Sequence, residues 1–567
     1  MEKRWLIKDE AVQNVQSVLT EELKISPLLA ALLSRRGVSS FEEAREFFRP
    51  ELSMLHDPFL MQDMDLAIER IEAALESDER IMIYGDYDVD GTTSVALVFS
   101  FFNKLYENME YYIPDRYDEG YGVSTQGIDY AAKQGVSLII CLDCGIKANE
   151  KIAYAKEQNI DFIVCDHHTP GDELPPAVAV LDPKRSDCSY PYDELSGCGI
   201  GFKLVQAYAS KNEIPFEELK QYLDLTAISI ASDIVPITGE NRVLAHYGLE
   251  LINSDPRPGI KALLELNNIN KTLYVSNLVF IIGPRINAAG RIESGKSAVK
   301  LLISNDMEAA MNTSKRINEN NLERRKHDSQ ITKEALKMIE QSEQFQQKKT
   351  TVLFKENWHK GVIGIVASRL IERHYKPTIV LTESHGKATG SARSVDGYNV
   401  YNAINSCSDL LEQFGGHKYA AGLTMKIENI EAFSAKFEEY VNKTIEEHQL
   451  IPTIEIDAEI EFGEITRQFF RILKQFEPFG PQNMTPVFLT KGVLDNGQVR
   501  IVGEKHLKLF LHHPSSPNVH FSAIAFGQSQ WLEPIANGET VDICYTIEEN
   551  EWNGNVSLQL NIKDIRR

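Results

Sequence analysis

Positive charge is what this chain has too little of. Its 59 lysines and arginines face 82 aspartates and glutamates, leaving a formal net charge of −23. Phosphate binding usually leaves a basic footprint, so the bulk balance weighs against a nucleic-acid partner. It decides little alone, because acidic metal ligands and acidic outer helices lower the total without touching a local basic groove. Cysteine is scarce too. Seven in 567 residues, an odd number, argue against a disulfide framework and for a reducing cytoplasm. No apolar run approaches the about 20 residues of a membrane span. Met1-Glu2-Lys3-Arg4 leads into a polar stretch without the apolar segment of a signal peptide. Internal repeats and low-complexity tracts are absent from the sequence. What remains is an ordinary globular composition, 43% hydrophobic, in a chain too long for one core, so three or four domains are expected.

From Arg80 to Pro183 short apolar runs alternate with helical patterns. Strands are expected at Arg80–Asp86, Tyr111–Pro114, Ser137–Leu142, Asp161–Cys165 and Ala177–Leu181. Helices are expected over Thr92–Tyr106, Ser124–Gln134 and Asn149–Gln158. Such alternation implies βαβ units and a parallel sheet. Residues 200–310 read mostly helical, and a polar, charge-alternating stretch over 306–346 reads as one long connecting helix. Its Arg324-Arg325-Lys326 cluster faces either solvent or a bound strand. Residues 347–448 return to mixed α/β. Beyond Ile454, short alternating strands with Gly and Asn turns suggest a small β-barrel.

The acids fall where the apolar strands finish. Ile83-Tyr84-Gly85 runs into Asp86-Tyr87-Asp88-Val89-Asp90-Gly91, Ile140-Cys141-Leu142 into Asp143-Cys144-Gly145, and Ile163-Val164-Cys165 into Asp166-His167-His168. In an open parallel sheet all carboxyl ends of strands meet one crevice, where ligands bind at a topological switch point. Several carboxylates packed together cannot all ionise without compensation, and a divalent cation supplies it. Oxygen and imidazole ligands suit Mn, Mg, Fe or Zn. Asp88-x-Asp90 lets two carboxylates reach adjacent metal positions that Asp143 bridges. One of the two histidines is then a ligand and the other points at the substrate. For a single Asp, a plain turn residue is the commoner explanation; three strand ends carrying acids plus His-His make it a poor one.

Two other patterns lead nowhere. Gly85…Gly91-Thr92-Thr93 lacks the lysine and spacing of a phosphate loop. Cys141-x-x-Cys144 has zinc-knuckle spacing without a second pair, so these cysteines read as buried residues.

DYDVDG, DCG and DHH in this order, followed by Ala231-Ser232-Asp233-Ile234-Val235-Pro236, resemble the DHH phosphoesterase superfamily. Asp115-Arg116-Tyr117-Asp118-Glu119-Gly120-Tyr121-Gly122, Gly283-Pro284-Arg285-Ile286-Asn287-Ala288-Ala289-Gly290-Arg291 and Trp358-His359-Lys360-Gly361-Val362-Ile363-Gly364-Ile365-Val366-Ala367-Ser368-Arg369 narrow the likeness to its RecJ-like exonucleases. Gly390-Ser391-Ala392-Arg393-Ser394 and Phe414-Gly415-Gly416-His417 resemble the DHH-associated domain. The resemblance implies an N-terminal helical segment (1–55), a parallel-sheet DHH domain (56–305), the connecting helix (306–346), a mixed α/β DHH-associated domain (347–448) and an OB-like barrel (449–567). Carried over by motif, the metal ligands are Asp88, Asp90, Asp143, His167 and Asp233, with Asp86 as a catalytic or additional ligand. His168 and Arg291 contact the scissile phosphate. Arg116, Ser391 and Arg393 form a pocket for the 5′ phosphate, with Gly415, Gly416 and His417 nearby. The chain departs from the usual pattern at Asp115, where asparagine is common, and at Pro481-Gln482, in a stretch whose glycines usually differ.

The implied activity is hydrolysis of single-stranded DNA from the 5′ end to 5′-mononucleotides, in DNA repair and recombination, with two divalent cations, Mn²⁺ preferred or Mg²⁺. The implied partners are single-stranded DNA and a helicase or single-strand-binding protein, for a monomeric cytoplasmic enzyme. Small residues at 390–394 let backbone N–H groups approach a phosphate while Arg393 adds a bidentate contact; a glycine turn with a surface ion pair is the bland alternative. His417 divides evenly between ligand contact and packing. Arg500, Lys505, His506 and Lys508 are interspersed with apolar residues on a barrel strand, either as a DNA track led by Lys505 and Lys508 or as ordinary strand surface. Three rivals remain: a phosphodiesterase for short oligonucleotides or cyclic dinucleotides, a metal-dependent pyrophosphatase, and a non-catalytic scaffold.

Overall fold

β-branched and aliphatic runs such as Arg80–Gly85 (RIMIYG) and Val136–Leu142 (VSLIICL) are apolar at nearly every position, which suits strands covered on both faces. The computed structural model describes residues 2–9, 13–552 and 554–567. Its contacts divide the chain into two units, Arg49–His327 with Pro478–Met484, and Met1–Phe48 with Asp328–Glu477 and Thr485–Arg567.

The first unit is built on a five-stranded parallel sheet in the order Met109–Tyr112, Arg80–Gly85, Val136–Leu142, Asp161–Cys165, Ala179–Leu181. Ile81, Ile83, Leu138, Ile140 and Ile163 join one buried cluster; Met82, Tyr84, Ile139, Cys141 and Val164 join another on the opposite face. The chain reverses direction of growth between the Arg80 and Val136 strands, so a switch point lies where Asp86 and Asp143 leave the sheet. Helices Val89–Phe102, Gly197–Lys211 and Leu223–Asp233 pack together beside it. A buried ion pair ties two helices: Lys203 Nζ lies 2.6 Å from Glu240 Oε1, both essentially unexposed. Glu240 also accepts from Tyr190 Oη (2.7 Å) and the His56 N–H (2.9 Å).

The second unit holds a five-stranded sheet ordered Gln413–Gly416, Ala420–Met425, Lys387–Arg393, Thr378–Ser384, Thr351–Phe354, antiparallel except for its last pair. It also holds the barrel. Strands Phe488–Asp495, His506–His513, Ser516–Ala525, Val541–Trp552 and Asn555–Arg566 close through Leu494 opposite His512. The third and fifth of these run parallel, the connectivity of an OB-fold.

The expected connecting helix is Met307–Glu340, followed by a short helix Glu343–Gln347; the boundary between the two units falls inside it. The N-terminal segment needs correction. It carries helices Gln13–Leu23, Pro27–Ser34 and Phe41–Phe48, but opens on a strand, Arg4–Ile7, running parallel to Thr453–Ile456. Four residues with no local turn or hairpin partner give no strand signal, because the pairing is made from the other end of the sequence. Among the described residues, no helix is long and apolar enough to cross a membrane.

Removing one partner of a buried pair strands the other charge. Glu240→Ala is therefore expected to cost the first unit about 3–5 kcal/mol, and Glu240→Gln less, since Gln keeps hydrogen-bonding capacity. Thermal and urea unfolding of the two variants check this; an unchanged midpoint for Glu240→Ala would show that Lys203 escapes to solvent.

Candidate metal and phosphate site

Three strand ends and one helix end deliver the site. Asp86 follows the Arg80 strand directly, and the chain then turns into helix Val89–Phe102. Asp88 caps that helix, its Oδ1 accepting the Gly91 N–H at 3.0 Å. Gly91 is required here: a Cβ would lie 2.4 Å from the Asp86 carbonyl oxygen. Asp90 turns inward and accepts the Gly197 and Cys198 N–H groups (2.7 and 2.8 Å) at the start of helix Gly197–Lys211, and Ser229 Oγ–H at 2.6 Å. The helix N-terminus favours the anion there. Gly197 has no room for a side chain either, since its Cβ would meet Asp143 Cβ at 2.7 Å and Asp90 Oδ2 at 2.9 Å.

Asp143 and Ile234, the residue after Asp233, hold left-handed backbone (φ 59° and 63°). Neither residue adopts this cheaply, and for β-branched Ile234 it is an outlier. The strain aims the Asp143 carboxylate into the crevice and ends helix Leu223–Asp233 at Asp233.

His167 sits at the centre, 6% exposed. Its Nε2 lies 3.1 Å from Asp143 Oδ1 and 3.5 Å from both Asp90 Oδ2 and Asp233 Oδ2. Neither ring nitrogen nevertheless has a hydrogen-bonding partner, and Asp86 Oδ2 and Asp143 Oδ2 are likewise buried without one. Burial holds the His167 pKa below its ordinary value, so the imidazole brings no positive charge to offset the carboxylates around it. Burial, then mutual repulsion, pushes Asp86, Asp88, Asp143 and Asp233 upward. Orphaned acceptors converging on one point fit a divalent cation with oxygen and imidazole ligands. Asp90, His167 and Asp233 each present a ligand atom within 4.8 Å of the others, as do Asp143, His167 and His168. The two sets share His167, and Asp88 and Asp86 fall in neither.

The two adjacent histidines part company here. His167 Nε2 turns to the carboxylates. His168 Nδ1 hydrogen-bonds Asp166 Oδ1 at 2.7 Å; burial opposes its charge, but Asp166 raises its pKa to about 9. His168 is therefore a cation at neutral pH beside the acid cluster. Asp166 is itself held by the Ile146 and His167 N–H groups (2.9 and 2.8 Å). The Tyr121 hydroxyl stands 3.5 Å from His168 Nε2. Arg116 lies over the Tyr87 ring, 4.5 Å from its centroid, close enough for its charge to bear on Asp86 and Asp88. Gly290, before Arg291, packs against the Tyr87 carbonyl, and the Arg291 charge also reaches Tyr87. Asp115 Oδ1 accepts the Tyr117 and Asp118 N–H groups (2.7 and 3.1 Å), a task an asparagine oxygen does equally. Gln482 has φ 59°, so the departure at Pro481-Gln482 puts a side chain on left-handed backbone that favours glycine.

In the second unit, Ser391 and Arg393 lie on strand Lys387–Arg393 rather than in a loop. Arg393 Nη1 donates to Ser391 Oγ at 2.9 Å. Both press on Gly364, whose Cβ would lie 2.9 Å from Arg393 Nη2 and 3.0 Å from Ser391 Oγ. Gly364 is in the first turn of helix Ile363–Arg373, so a guanidinium, a hydroxyl and a helix N-terminus share one spot, which suits a phosphate. The register sets Gly415 opposite Gly422 and Gly422 opposite Ser391; His417 N–H closes the turn onto Ala420 O at 2.8 Å. On the barrel, Arg500 is paired with Lys508 across strands, Phe510 stacks on His520 at 5.4 Å, and Lys505 is exposed in the preceding turn.

Sequence reasoning missed Ser229 and Gly197, and it quoted Gly364 within a motif without giving it a role at the site. Ser196-Gly197-Cys198-Gly199 did carry a signal, a serine N-cap before an apolar run; the spatial approach of Gly364 and Ser229 carried none.

The chain matches the DHH family, N-terminal domain, over residues 80–230, the DHHA1 domain over 347–443 and the RecJ OB domain over 456–564. The single-stranded-DNA-specific exonuclease RecJ of Bacillus subtilis is 39% identical over 99% of this chain and 70% of its own length. That of Salmonella typhimurium is 34% identical over 95% of this chain and 96% of its own. Among solved structures, Thermus thermophilus RecJ in complex with Mn²⁺ superposes with a TM-score of 0.85 at 27% identity, covering 100% of this chain and 79% of that one. The Mg²⁺ complex of RecJ from that organism gives 0.79 at 26% identity, over 100% and 78%.

With burial and mutual repulsion both weighing on the carboxylates, cation binding is expected to raise the melting temperature of the metal-free protein. Carboxyl pKa values raised by folding mean stability that is present at low pH and lost as pH rises through them. The Mn²⁺-induced shift should therefore grow from about pH 5 to pH 8. Asp143→Asn should melt higher than the parent in chelator and lose most of the Mn²⁺ shift; equal shifts in both proteins would remove Asp143 from the ligand set.

Proposed function

Because the chain belongs to the RecJ family of single-stranded-DNA-specific exonucleases, we propose that its buried acid–histidine crevice hydrolyses single-stranded DNA from the 5′ end, releasing 5′-mononucleotides in DNA repair and recombination. The observation that carries the reading is His167 within 3.1–3.5 Å of three carboxylates, with its ring nitrogens unpartnered. Asp88, Asp90, Asp143, His167 and Asp233 are the residues to hold divalent cations, with Asp86 as an additional ligand; two ions, Mn²⁺ in preference to Mg²⁺, are our assignment. When bound, such ions polarise a phosphoryl oxygen and make water acidic enough to attack at neutral pH.

The rest of the work falls to side chains. Protonated His168, fixed by Asp166, offers its Nε2–H to a non-bridging oxygen or to the leaving oxygen as charge develops. Arg291 and Arg116 add positive charge around Tyr87, where phosphate would otherwise meet only acids. Asp90 is held in place by two backbone N–H groups and Ser229 Oγ–H. The assignment of the 5′-phosphate contact to Ser391, Arg393 and the Gly415-Gly416-His417 turn is supported by the hydroxyl–guanidinium–helix cluster at Gly364; that of Arg116 rests on its family motif alone. The barrel supports a track for the strand through Arg500, Lys505 and Lys508. A reducing, cytoplasmic setting is supported by seven free cysteines; a monomer supplied with DNA by a helicase or single-strand-binding protein belongs to the same proposal.

Digestion of a single-stranded oligonucleotide labelled at either end tests the reading. Expected are immediate release of a 5′-labelled mononucleotide, gradual shortening of the 3′-labelled strand, and no reaction in chelator. An intact strand together with cleaved dinucleotides would transfer the site to the phosphodiesterases of short substrates. The joint change Lys505→Glu and Lys508→Glu should weaken binding of long strands at least tenfold, about 0.7 kcal/mol or more per lost phosphate contact. It should weaken binding of trinucleotides much less; equal loss on both lengths would exclude the barrel track.

A further inference from the structure

With 82 acids to 59 lysines and arginines, a cation of this chain easily finds a carboxylate, yet one concavity of the second unit gathers basic residues alone. It has a volume of about 400 Å³ and is lined by Lys348 and Lys349 from one segment and by Arg373, His374 and Lys376 from another. No acid is among the residues that line it. Among the described residues, no carboxylate oxygen lies within 4.0 Å of a side-chain nitrogen of these five.

Lys376 brings the two segments together. Its Nζ donates to the carbonyls of Phe345 (3.1 Å), Gln346 (3.2 Å) and Lys348 at the end of helix Glu343–Gln347, groups that a helix C-terminus leaves free. Lys376 is thus a clamp, and it fixes Lys348 beside the Arg373 segment. Helix Ile363–Arg373 ends there. A basic residue suits a helix C-terminus, which accounts for Arg373 and His374 but not for Lys348 and Lys349. Burial, then the charge of Lys376, hold the His374 pKa below its ordinary value, with Glu340 opposing, so His374 adds no charge of its own at neutral pH. Glu438 bears on Lys376, but its oxygens accept the Lys349 and Thr350 N–H groups (2.9 and 3.0 Å).

Lys348, Lys349 and Arg373 are therefore three cations around one concavity, none of them paired with a carboxylate. Its volume is that of a small-molecule site. Tyr375 is the one aromatic side chain in the wall, its hydroxyl already accepting the Asp396 N–H at 3.2 Å, and Leu450 is the one aliphatic one. The wall thus offers neither the successive stacking platforms of a single-strand track nor the apolar anchor pocket of a peptide site. A compact anion of several charges matches it.

We propose that this concavity binds a compact oligophosphate, a diphosphate or triphosphate that is free or the tail of a nucleotide, through Lys348, Lys349 and Arg373. It is distinct from the 5′-phosphate contact assigned above. Gly364 lies in the first turn of the helix that Arg373 ends, and at about 1.5 Å per residue the two stand about 14 Å apart along its axis. The inference does not depend on the nuclease reading.

The test is calorimetric titration of the metal-free full chain with inorganic triphosphate. Expected is saturable binding, tighter than that of diphosphate and far tighter than that of orthophosphate. Lys348→Gln with Lys349→Gln should weaken it about tenfold or more, and Arg373→Gln by a similar factor; Lys348→Arg with Lys349→Arg should keep it. Arg393→Gln, at the 5′-phosphate contact, should leave it unchanged. ATP bound as tightly as triphosphate would identify a nucleotide tail as the source, and ATP bound at least tenfold more weakly the free oligophosphate. No saturable binding by the parent, unchanged affinity in the lysine or the arginine variant, or a loss confined to Arg393→Gln overturns the proposal. So does weaker binding of an oligothymidylate by the lysine variant with triphosphate affinity intact, which would make the concavity a DNA contact. A parent that digests no labelled strand would overturn the nuclease reading alone, so the two failures are separable.

Discussion

Carboxylates crowded out of water around one imidazole repel each other, and this part of the molecule is arranged around that repulsion. At an effective dielectric of about 20, two unit charges 4 Å apart cost about 4 kcal/mol. The protein relieves one acid, Asp90, with backbone N–H groups and Ser229, and one, Asp88, by using it as a helix cap. It leaves Asp86 and Asp143 with unpartnered oxygens. The glycines at 91 and 197 exist because the backbones must approach within contact of the acids they support. Left-handed Asp143 and Ile234 are part of the same cost. A cation is the one addition that turns all of these liabilities into ligands.

How much of this could be read beforehand depends on range in sequence. Four of the five parallel strands were legible because each is a local apolar run that leads straight into Asp, and the edges moved by only a residue or two: Tyr111–Pro114 became Met109–Tyr112, and Ala177–Leu181 became Ala179–Leu181. The acid and histidine positions were legible for the same reason. The long helix and the barrel followed from periodicity and turn residues. What stayed hidden was contact between distant segments. Ser229 on Asp90, Gly364 against Arg393, and the strand formed by Arg4–Ile7 have no local signature, since each depends on a partner far away in the chain.

The overall negative charge misleads because it is an average. Against that average, individual cations stand in fixed places: His168 and Arg116 by the acids, Arg393 at Gly364, and Arg500 opposite Lys508 on the barrel. The remaining acidic surface keeps a large enzyme soluble and discourages indiscriminate adsorption to nucleic acid. Specificity of this kind needs sparse cations in fixed places more than it needs many of them.

The parallel pairing of Arg4–Ile7 with Thr453–Ile456 sets a timetable. At synthesis rates of about 5–20 residues per second, a strand whose partner lies about 450 residues downstream waits on the order of half a minute or longer. Throughout that interval Trp5, Leu6 and Ile7 belong to an open edge of the kind that recruits other chains. The unit that houses the sheet, Arg49–His327, is complete on the ribosome except for its short Pro478–Met484 segment well before the other unit can close. Nascent chains stalled between these points would therefore carry a largely assembled metal crevice on a protein still vulnerable at its first strand, and holding that strand is a natural task for the chaperones that meet emerging chains.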